Sequence, residues 1–459
     1  MTGFSGTALE LGGAGTKTLD TLNVHDNTGT GVAVLGNNAT LRNSTITANG
    51  VGVRLGGNNT VSGNTVTGNA TGVSISGANS TLGGTTVAAR NVISGNSGSG
   101  VVVTQSGGTA RIIGNFIGTD AAGTSALPNA GDGIRLLSVG ANTIGGPTTA
   151  ERNVISGNGG NGIFMSLLNT PAPGIVTVQG NFIGTNAAGT AAIPNALNGV
   201  EVDAATLSSR AQLTGNVISG NQQTGVFIRE GSHHVVQSNS IGTDSSGTIS
   251  LGNGAGRFEG VFIQDSSFVT IGGDTPALGN VIAHNGNSGV TIDSTVADSL
   301  LAVGNTIRLN SIFDNARLGI DLAQTSAEAG FGLVTPNDFN DADNGANRRQ
   351  NFPVMQVAIA PAAGGLTVVA TLNSTPLSAF AVDFYASPAC DSRGAGEGQR
   401  FVGSATVVTS AAGPGLPGTA VAALSAAPNP PVVGGVITAT ATNLSTGDTS
   451  EFSACMPVS

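Results

Sequence analysis

The chain has 459 residues, of which 72 are glycine and only 9% are charged, and its formal net charge is −10. Lys17 is the one lysine and the arginines are scattered, so there is no basic tract and we do not expect a nucleic-acid partner. No apolar run is long enough to span a membrane. The sequence after Met1 lacks the features of a signal peptide. Because the chain begins within repeat-like sequence, we interpret Met1 as an artificial start and expect further coils before it.

A pattern of glycine followed by an apolar, a variable and an apolar residue organises most of the chain. Its first copies span residues 31–34, 52–55 and 72–75, which are 21 and 20 residues apart. The alternation predicts a short β-strand whose apolar pair faces inward and whose middle residue faces outward. The glycine is expected to supply a corner with a positive φ and no obstructing Cβ. Because one such strand cannot bury its apolar face alone, we predict stacked coils that form a solenoid. Later copies begin at Gly100, Gly133, Gly162, Gly199, Gly225, Gly260, Gly289 and Gly319.

Asparagines recur at the expected corners, as at Asn43, Asn49, Asn64 and Asn69. Asparagine tolerates the left-handed conformation, and side chains stacked in register could form an amide ladder along the solenoid. Asn43, Asn69 and Asn79 also begin glycosylation acceptor sequences. We favour the corner interpretation, because similar corners recur without the acceptor pattern.

A longer repeat begins at Arg90. The hexapeptide NVISGN at residues 91–96 returns at 153–158 and 216–221 and, altered, at 280–285, with spacings of 62, 63 and 64 residues. Each repeat also contains a second signature, first seen at residues 115–120, that leads into an insertion. Insertions at the same place in every repeat lie on one side, so we expect them to align as a rim.

The chain resembles a known family in the motifs NVISGN, NFIGTDAAGTSALPNAGDGI and NTIGG, which are similar to the repeats of large bacterial surface and secreted proteins. The resemblance covers residues 18–322 and implies an all-β fold, the right-handed parallel β-helix of the pectate-lyase-like superfold. It implies no single activity, because this architecture hosts lyases, hydrolases, epimerases, adhesins and inert spacers.

The repeat pattern ends near Gly330 and a different β pattern follows. Alternating strands are predicted at residues 366–372, 380–385, 401–407 and 436–442, which favours a small antiparallel sandwich. Segments at 350–354, 387–390 and 449–455 resemble the immunoglobulin-like module that often follows such repeats. We therefore predict a β-helix over 1–335, an acidic linker over 336–352 and an immunoglobulin-like sandwich over 353–459.

Both cysteines, Cys390 and Cys455, fall in the predicted sandwich. An even pair confined to one small β domain suggests a disulfide formed in an oxidising compartment. The alternative is a pair of buried free thiols.

The outward positions of the later coils gather charged and aromatic residues. Phenylalanine rings can stack on the apolar faces of sugars, and carboxylates or arginine can bind hydroxyls and acid groups. The alternative is a solvated face with scattered charge. The absence of later lysines, and of any tyrosine in the predicted solenoid, weighs against catalysis. The predicted ligand face comprises Glu201, Asp203, Phe227, Arg229, Phe262, Asp265, Asp293 and Asp321, of which Glu201, Asp203, Arg229 and Asp293 are the catalytic candidates.

The acidic stretch is a candidate metal site. Asp338, Asn340, Asp341 and Asp343 offer hard oxygen ligands for Ca²⁺, and Phe352 stands where an EF-hand would place its closing glutamate. The alternative is a solvated linker that forms turns.

The predicted role is that of a structural or adhesive extracellular rod, part of a larger bacterial surface or secreted protein. The candidate partners are a polysaccharide or another cell-surface ligand, and a second copy bound end to end. The alternative function is a polysaccharide lyase or glycoside hydrolase that uses the outward face. No cofactor is expected other than the candidate Ca²⁺.

Overall fold

The computed structural model describes residues 1–104, 109–137, 140–167, 174–204, 209–296, 298–323, 333–360, 365–391, 396–413, 417–425 and 434–459. These residues group into two compact units. The first comprises Met1–Phe227 and Gly242–Asn253, and the second comprises Ile228–Ile241 and Gly254–Ser459. Among the described residues the helices are three short 3₁₀ turns, η1(Val87–Ala89), η2(Pro276–Leu278) and η3(Ala346–Arg349). The predicted all-β fold class is confirmed.

The first unit is built from short strands that repeat coil after coil. Its strands are β1(Leu9–Leu11), β2(Lys17–Asp20), β3(Asn23–Val34), β4(Ala39–Arg42), β5(Thr45–Leu55), β6(Thr60–Ser62), β7(Thr65–Thr67), β8(Thr71–Ile75), β9(Ser80–Gly83), β10(Val92–Ile93), β11(Val101–Val103), β12(Ala110–Ile113), β13(Phe116–Ile117), β14(Ile134–Leu136), β15(Thr143–Gly145), β16(Val154–Ile155), β17(Ile163–Ser166), β18(Ile175–Gln179), β19(Phe182–Ile183), β20(Val200–Asp203), β21(Arg210–Thr214) and β22(Val217–Ile218). The next strand, β23(Val226–Arg229), begins in the first unit and ends in the second.

Equivalent strands of successive coils pair in parallel, which makes the first unit a solenoid. One row runs through β7, β10, β13, β16, β19 and β22, and a second runs through β8, β11, β14, β17 and β20. A third row runs through β2, β4, β6, β9, β12, β15, β18 and β21. Each regular coil therefore contributes one strand to each row.

The alternation predicted for the repeated tetrapeptide is confirmed. Val32 and Val34 of the first copy are fully buried, and so are Val53 and Leu55 of the second. They stack in register, Val32 against Val53 and Val34 against Leu55. The hydrophobic core is thus a continuous column of aliphatic side chains inside the coils, because each coil covers the apolar face of the one before it.

The repeat glycines were predicted to combine a positive φ with the absence of a Cβ, and only the second part is confirmed. Gly162, like its equivalents, does not have a positive φ. A Cβ at this position would lie 2.6 Å from the carbonyl oxygen of Gly199 and 2.9 Å from Nδ2 of Asn195. The position therefore needs glycine because the next coil passes too close for a side chain, and not because of a left-handed backbone.

Two buried asparagine ladders run along the first unit and confirm the amide-ladder prediction. Each side-chain Nδ2 donates to Oδ1 of the equivalent asparagine in the next coil, at 2.7–3.1 Å. Every ladder side chain is at most 4% exposed. Of the three glycosylation acceptors, Asn69 is therefore inaccessible, whereas Asn43 and Asn79 are exposed corners with positive φ. One ladder comprises Asn27, Asn49, Asn69, Asn96, Asn129, Asn158, Asn195, Asn221 and Asn253, and the other Asn64, Asn91, Asn115, Asn153, Asn181 and Asn216.

The insertions of the longer repeat align, as predicted. In each loop an Asp or Asn side chain accepts from backbone N–H groups four and five residues later, as Asp120 does from Thr124 and Ser125. Successive loops also bond to each other, since Ala187 N donates to Gly123 O at 2.8 Å. The loops therefore form a rim along one side of the first unit.

The second unit contains further coils and an antiparallel sandwich. Its solenoid strands are β24(Val235–Gln237), β25(Ser240–Ile241), β26(Val261–Gln264), β27(Thr270–Gly272), β28(Val281–Ala283), β29(Val290–Asp293), β30(Thr306–Arg308), β31(Ser311–Phe313) and β32(Ile320–Leu322). They pair in parallel in the same three-row manner, through β25, β28 and β31, through β26, β29 and β32, and through β24, β27 and β30.

The C-terminal strands form two antiparallel sheets, as expected for an immunoglobulin-like module. The strands are β33(Val354–Ile359), β34(Thr367–Asn373), β35(Ala379–Ser387), β36(Arg400–Val408), β37(Thr419–Ser425), β38(Val436–Asn443) and β39(Met456–Pro457). One sheet has the order β33–β34–β37 and the other β36–β35–β38–β39. Phe380, Phe384 and Ile437 lie fully buried in the core between the sheets. The sequence predicted β34, β35, β36 and β38 and missed the other three.

Candidate functional site

A row of charged and aromatic side chains crosses the outward side of the first unit. Arg135, Phe164 and Glu201 occupy equivalent positions on β14, β17 and β20 and are register partners in turn. All three are half-buried, whereas the residues on either side of each are fully buried and face the core. Phe227 has the equivalent position on β23, the strand that pairs with β20. The register is the same as one coil earlier, because Val200 N donates to Gly225 O just as Ile163 N donates to Gly199 O. Since neighbouring strands lie about 4.8 Å apart, the four side chains span about 14 Å.

Local contacts hold the members of this row in place. The guanidinium carbon of Arg135 lies 4.7 Å from the centroid of the Phe164 ring, and Nη1 of the same arginine donates to Asp132 Oδ2 at 3.0 Å. Asn198 Nδ2 donates to Glu201 Oε2 at 3.1 Å. The groups that would meet a ligand are therefore oriented before it arrives, which lowers the entropic cost of binding.

Asp203 lies on the same face as Glu201, two residues further along β20, and both are half-buried. Two residues of a strand advance about 6.6 Å. The pair places two carboxylates side by side near the row, next to Ser166 of the preceding coil.

The other predicted ligand residues belong to the second unit. Arg229, Phe262 and Asp265 are half-buried. Asp265 is already engaged, because it accepts from Ser294 Oγ and from Thr295 N, each at 3.0 Å. Its carboxylate therefore ties one corner of the solenoid to the next coil.

Asp293 and Asp321 also belong to the second unit but are buried, at 2% and 1% exposure. Their strand neighbours Ile292 and Leu322 face the core, so both aspartates occupy outward positions. Burial raises the pKa of Asp321 to about 7. A polymer at the surface does not reach these two carboxylates.

The acidic stretch folds into turns that hydrogen bonds hold in place within the second unit. Asp338 Oδ2 accepts from Ala342 N, and Asp341 accepts from Asn351 N and Ser374 Oγ. Asn340 Oδ1 accepts from Gly418 N at 2.9 Å. No group of three acidic, histidine or cysteine side chains in the described ranges is arranged to hold a metal ion. Calcium binding by Asp338, Asn340, Asp341 and Asp343 stays a prediction.

The predicted disulfide between Cys390 and Cys455 is confirmed, with a Cα–Cα distance of 5.9 Å and a sequence separation of 65 residues. Closing a loop of this length stabilises the folded state by about 4 kcal/mol on the chain-entropy account. We expect no reactive thiol in the denatured, unreduced protein, and a lower thermal midpoint for Cys390→Ser/Cys455→Ser. Titration of two thiols in that unreduced protein would contradict the bridge.

The sandwich supplies acceptors to N–H groups of the last coil, which the sequence did not reveal. Tyr385 Oη accepts from Leu309 N at 3.2 Å and Thr449 Oγ1 accepts from Ile307 N at 3.0 Å. Glu397 Oε1 accepts from both N and Nδ2 of Asn315, each at 3.2 Å. Because Asn315 itself accepts from Nδ2 of Asn285, the glutamate takes the place of the next asparagine in a ladder. The sandwich thus closes the end of the solenoid as a further coil would.

Two more side chains complete this contact. Glu451 accepts from Leu322 N at 2.9 Å and from Thr335 N at 2.8 Å. Arg308 donates from Nε and Nη2 to the two carboxylate oxygens of Asp383, both at 2.8 Å. Asp383 is fully buried, so the carboxylate of this bidentate pair is removed from solvent. Local sequence patterns cannot predict these contacts, because the bonded residues lie 75 or more positions apart in the chain.

The buried glutamates should make this unit less stable at higher pH. Burial raises the pKa of Glu451 to about 8 and that of Glu397 to about 7. A raised folded-state pKa contributes stability below the unfolded-state value of about 4.3, and this contribution is lost as the pH rises through the folded-state pKa. We expect the thermal midpoint to decrease as the pH is raised from about 5 to about 8, and to decrease less in Glu451→Gln. A midpoint that rises over this range would contradict these protonation states.

The chain matches the family model described as "Right handed beta helix region" over residues 2–126 and 198–351. No curated protein sequence matches the chain. Within the described residues no helix is long and apolar enough to cross a membrane.

Several solved structures are similar in fold. The A-module of a mannuronan C-5 epimerase from Azotobacter vinelandii is 18% identical, over 70% of this chain and 80% of that one, with a TM-score of 0.36. The enzymatically active domain of tailspike protein 2 of bacteriophage CBA120 is 11% identical, over 98% and 71%, with a TM-score of 0.31. The tailspike of E. coli bacteriophage HK620, solved with a pentasaccharide, is 12% identical, over 92% and 74%, with a TM-score of 0.24. Likeness at this level carries no information on what this chain binds.

Proposed function

Because the chain belongs to the right-handed beta-helix family, we propose that it is an extracellular structural and adhesive protein that binds a polysaccharide on the first unit. The proposed surface consists of Arg135, Phe164, Glu201, Asp203 and Phe227. The observation that carries this proposal is the register of Arg135, Phe164 and Glu201 on three adjacent strands.

The chemistry of this surface suits a sugar chain. Half-buried aromatic rings offer apolar contact area, while carboxylates and a guanidinium offer strong partners for hydroxyl and acid groups. The side chains of this surface occupy equivalent positions on adjacent strands, about 4.8 Å apart, so they present several contacts to a polymer. Glu201 and Asp203 outnumber Arg135, whose Nη1 already donates to Asp132, so the surface favours polysaccharides rich in hydroxyl groups over acidic ones.

Further parts of the proposal rest on the disulfide and on the sandwich. A structural disulfide indicates an oxidising compartment, which supports secretion. The hydrogen bonds from the last coil support a capping role for the C-terminal module. We retain the division into a β-helix over 1–335, a linker over 336–352 and a sandwich over 353–459 as part of the proposal, and end-to-end self-association stays a prediction.

A glycan array followed by calorimetry tests the surface. We expect binding to neutral polysaccharides rich in hydroxyl groups and a loss of affinity of about tenfold for Phe164→Ala and again for Glu201→Ala, since about 1.4 kcal/mol is tenfold. Arg54→Ala is the matched control, because Arg54 has the equivalent outward position on β5 and is exposed. Equal binding by all four proteins, or binding by none, would contradict the proposed surface.

A second candidate function is glycoside hydrolysis by Glu201 and Asp203. Their Cα atoms lie about 6.6 Å apart on one face of the strand, which is compatible with the carboxyl spacing of about 6.5–9.5 Å used by inverting glycosidases. Release of reducing ends from a bound polysaccharide, lost in Glu201→Gln and in Asp203→Asn, would favour the enzyme. Binding without product would favour the adhesive role.

A further inference from the structure

Two buried oxygen atoms at neighbouring positions of the second unit lack hydrogen-bond partners. Thr291 on β29 and Asp321 on β32 are register partners and are 0% and 1% exposed. Within the described part of the chain, neither Thr291 Oγ1 nor Asp321 Oδ1 has a hydrogen-bond partner. Adjacent strands lie about 4.8 Å apart, so a hydroxyl and a carboxyl at register positions could bond to each other. They do not bond to each other, so each oxygen is left open to a further group.

Negative charge is concentrated around this position. Asp293 and Glu259 are buried, at 2% and 5% exposure, and lie close enough that their charges disfavour ionisation of Asp321. Arg317 acts on Asp321 in the opposite sense. The second oxygen of Asp321 accepts from Ser288 Oγ at 3.3 Å, a long hydrogen bond. Burial of the Asp321 carboxylate beside these charges is costly unless a positive charge compensates it.

The groups at this position are those that a hard cation prefers. Ca²⁺ takes oxygen ligands from carboxylates, neutral oxygens and water, whereas soft ligands such as thiolates are absent from this position. We propose that a divalent cation of the Ca²⁺ class binds between Thr291 and Asp321 and stabilises the last two coils. No trio of acidic, histidine or cysteine side chains among the described residues is arranged for a metal, so the site relies on the threonine hydroxyl and on water for its remaining ligands.

This cation site differs in place and role from the other sites. It lies on the strands β29 and β32, whereas the predicted calcium ligands Asp338 to Asp343 follow the solenoid in the chain. It is buried and structural, whereas the proposed glycan surface is on the first unit. Loss of one therefore does not imply loss of the other.

Equilibrium dialysis of the full chain against about 1 mM Ca²⁺, with bound metal counted by atomic emission, tests the proposal at the affinity of an extracellular calcium module. We expect one Ca²⁺ fewer per chain in Asp321→Asn and in Thr291→Val than in the wild type. We also expect Ca²⁺ to raise the thermal midpoint of the wild type by about 2–8 °C, and neither variant to show this rise. Asp338→Asn is the control and should keep the cation bound at Asp321.

Two results would overturn the proposal. The first is a wild-type chain that binds no Ca²⁺ at this concentration. The second is calcium uptake by Thr291→Val equal to that of the wild type. This variant removes only a hydroxyl and preserves the shape of the side chain, so it decides the matter even if Asp321→Asn fails to fold.

Discussion

Replacement of Asn153 by alanine is expected to lower the free energy of unfolding by roughly 3–5 kcal/mol, because it interrupts a buried ladder. Oδ1 of Asn153 accepts from both N and Nδ2 of Asn115, at 2.9 and 3.1 Å. Its Nδ2 donates to Ile112 O at 2.7 Å and to Asn181 Oδ1 at 2.9 Å. The substitution leaves Asn115 N without its acceptor, and a buried group without a partner costs about 1–3 kcal/mol. Asn115 Nδ2, Ile112 O and Asn181 Oδ1 each lose one further hydrogen bond. Urea denaturation measures the loss.

Two companion variants show whether the loss comes from the ladder. Asn153→Asp keeps the shape but puts an acceptor against the acceptors Ile112 O and Asn181 Oδ1, so we expect a loss at least as large as that of alanine. Asn79→Gly removes an exposed asparagine whose φ of 57° glycine adopts without strain, and should change stability by less than about 1 kcal/mol. Similar values for Asn153→Ala and Asn79→Gly would contradict the account of the ladder.

Replacement of Arg308 by alanine is expected to destabilise the second unit by about 3–5 kcal/mol, because it leaves Asp383 buried without its cation. The carboxylate of Asp383 is fully buried and receives two hydrogen bonds from the guanidinium. Its remaining partner is the hydroxyl of Ser404. Urea denaturation and limited proteolysis of the C-terminal module both report the effect.

The same arginine provides an internal control. Nη1 of Arg308 also bonds to Asp274 Oδ1 at 2.9 Å, but the side chain of Asp274 is 90% exposed. Asp274→Ala should therefore cost at most about 1 kcal/mol. We expect Arg308→Ala/Asp383→Ala to be more stable than Arg308→Ala alone, since it removes the stranded charge. Equal losses from Asp274→Ala and Arg308→Ala would show that burial of the pair is unimportant.

The regular features of the fold could be predicted because they repeat. The alternation of apolar residues after each glycine predicted the column of buried aliphatic side chains that includes Val32 and Val53. Asparagines at constant spacing gave the ladders, because stacked coils bring equal positions together. The sandwich was predicted less completely, since β33, β37 and β39 are not marked by a repeat and depend on long-range pairing.

The candidate site could be predicted only in part. Alternation placed Glu201, Phe227 and Asp321 outward, but it does not tell which outward residues remain at the surface. Asp293 and Asp321 are buried despite their outward positions. The sequence also could not show that Glu397 and Glu451 would meet N–H groups of the last coil, because their partners are distant along the chain and no periodic pattern links them.

Successive coils stack with Arg135, Phe164 and Glu201 in register, and pairs of engineered cysteines report this register. Register partners on adjacent strands have Cα atoms about 5 Å apart, within the range of a disulfide, whereas a shift of two residues separates them by about 8 Å. We predict that Phe164→Cys/Glu201→Cys forms a new disulfide on mild oxidation and that Phe164→Cys/Asp203→Cys keeps both thiols free. A bridge in the second protein without one in the first would contradict the stacking.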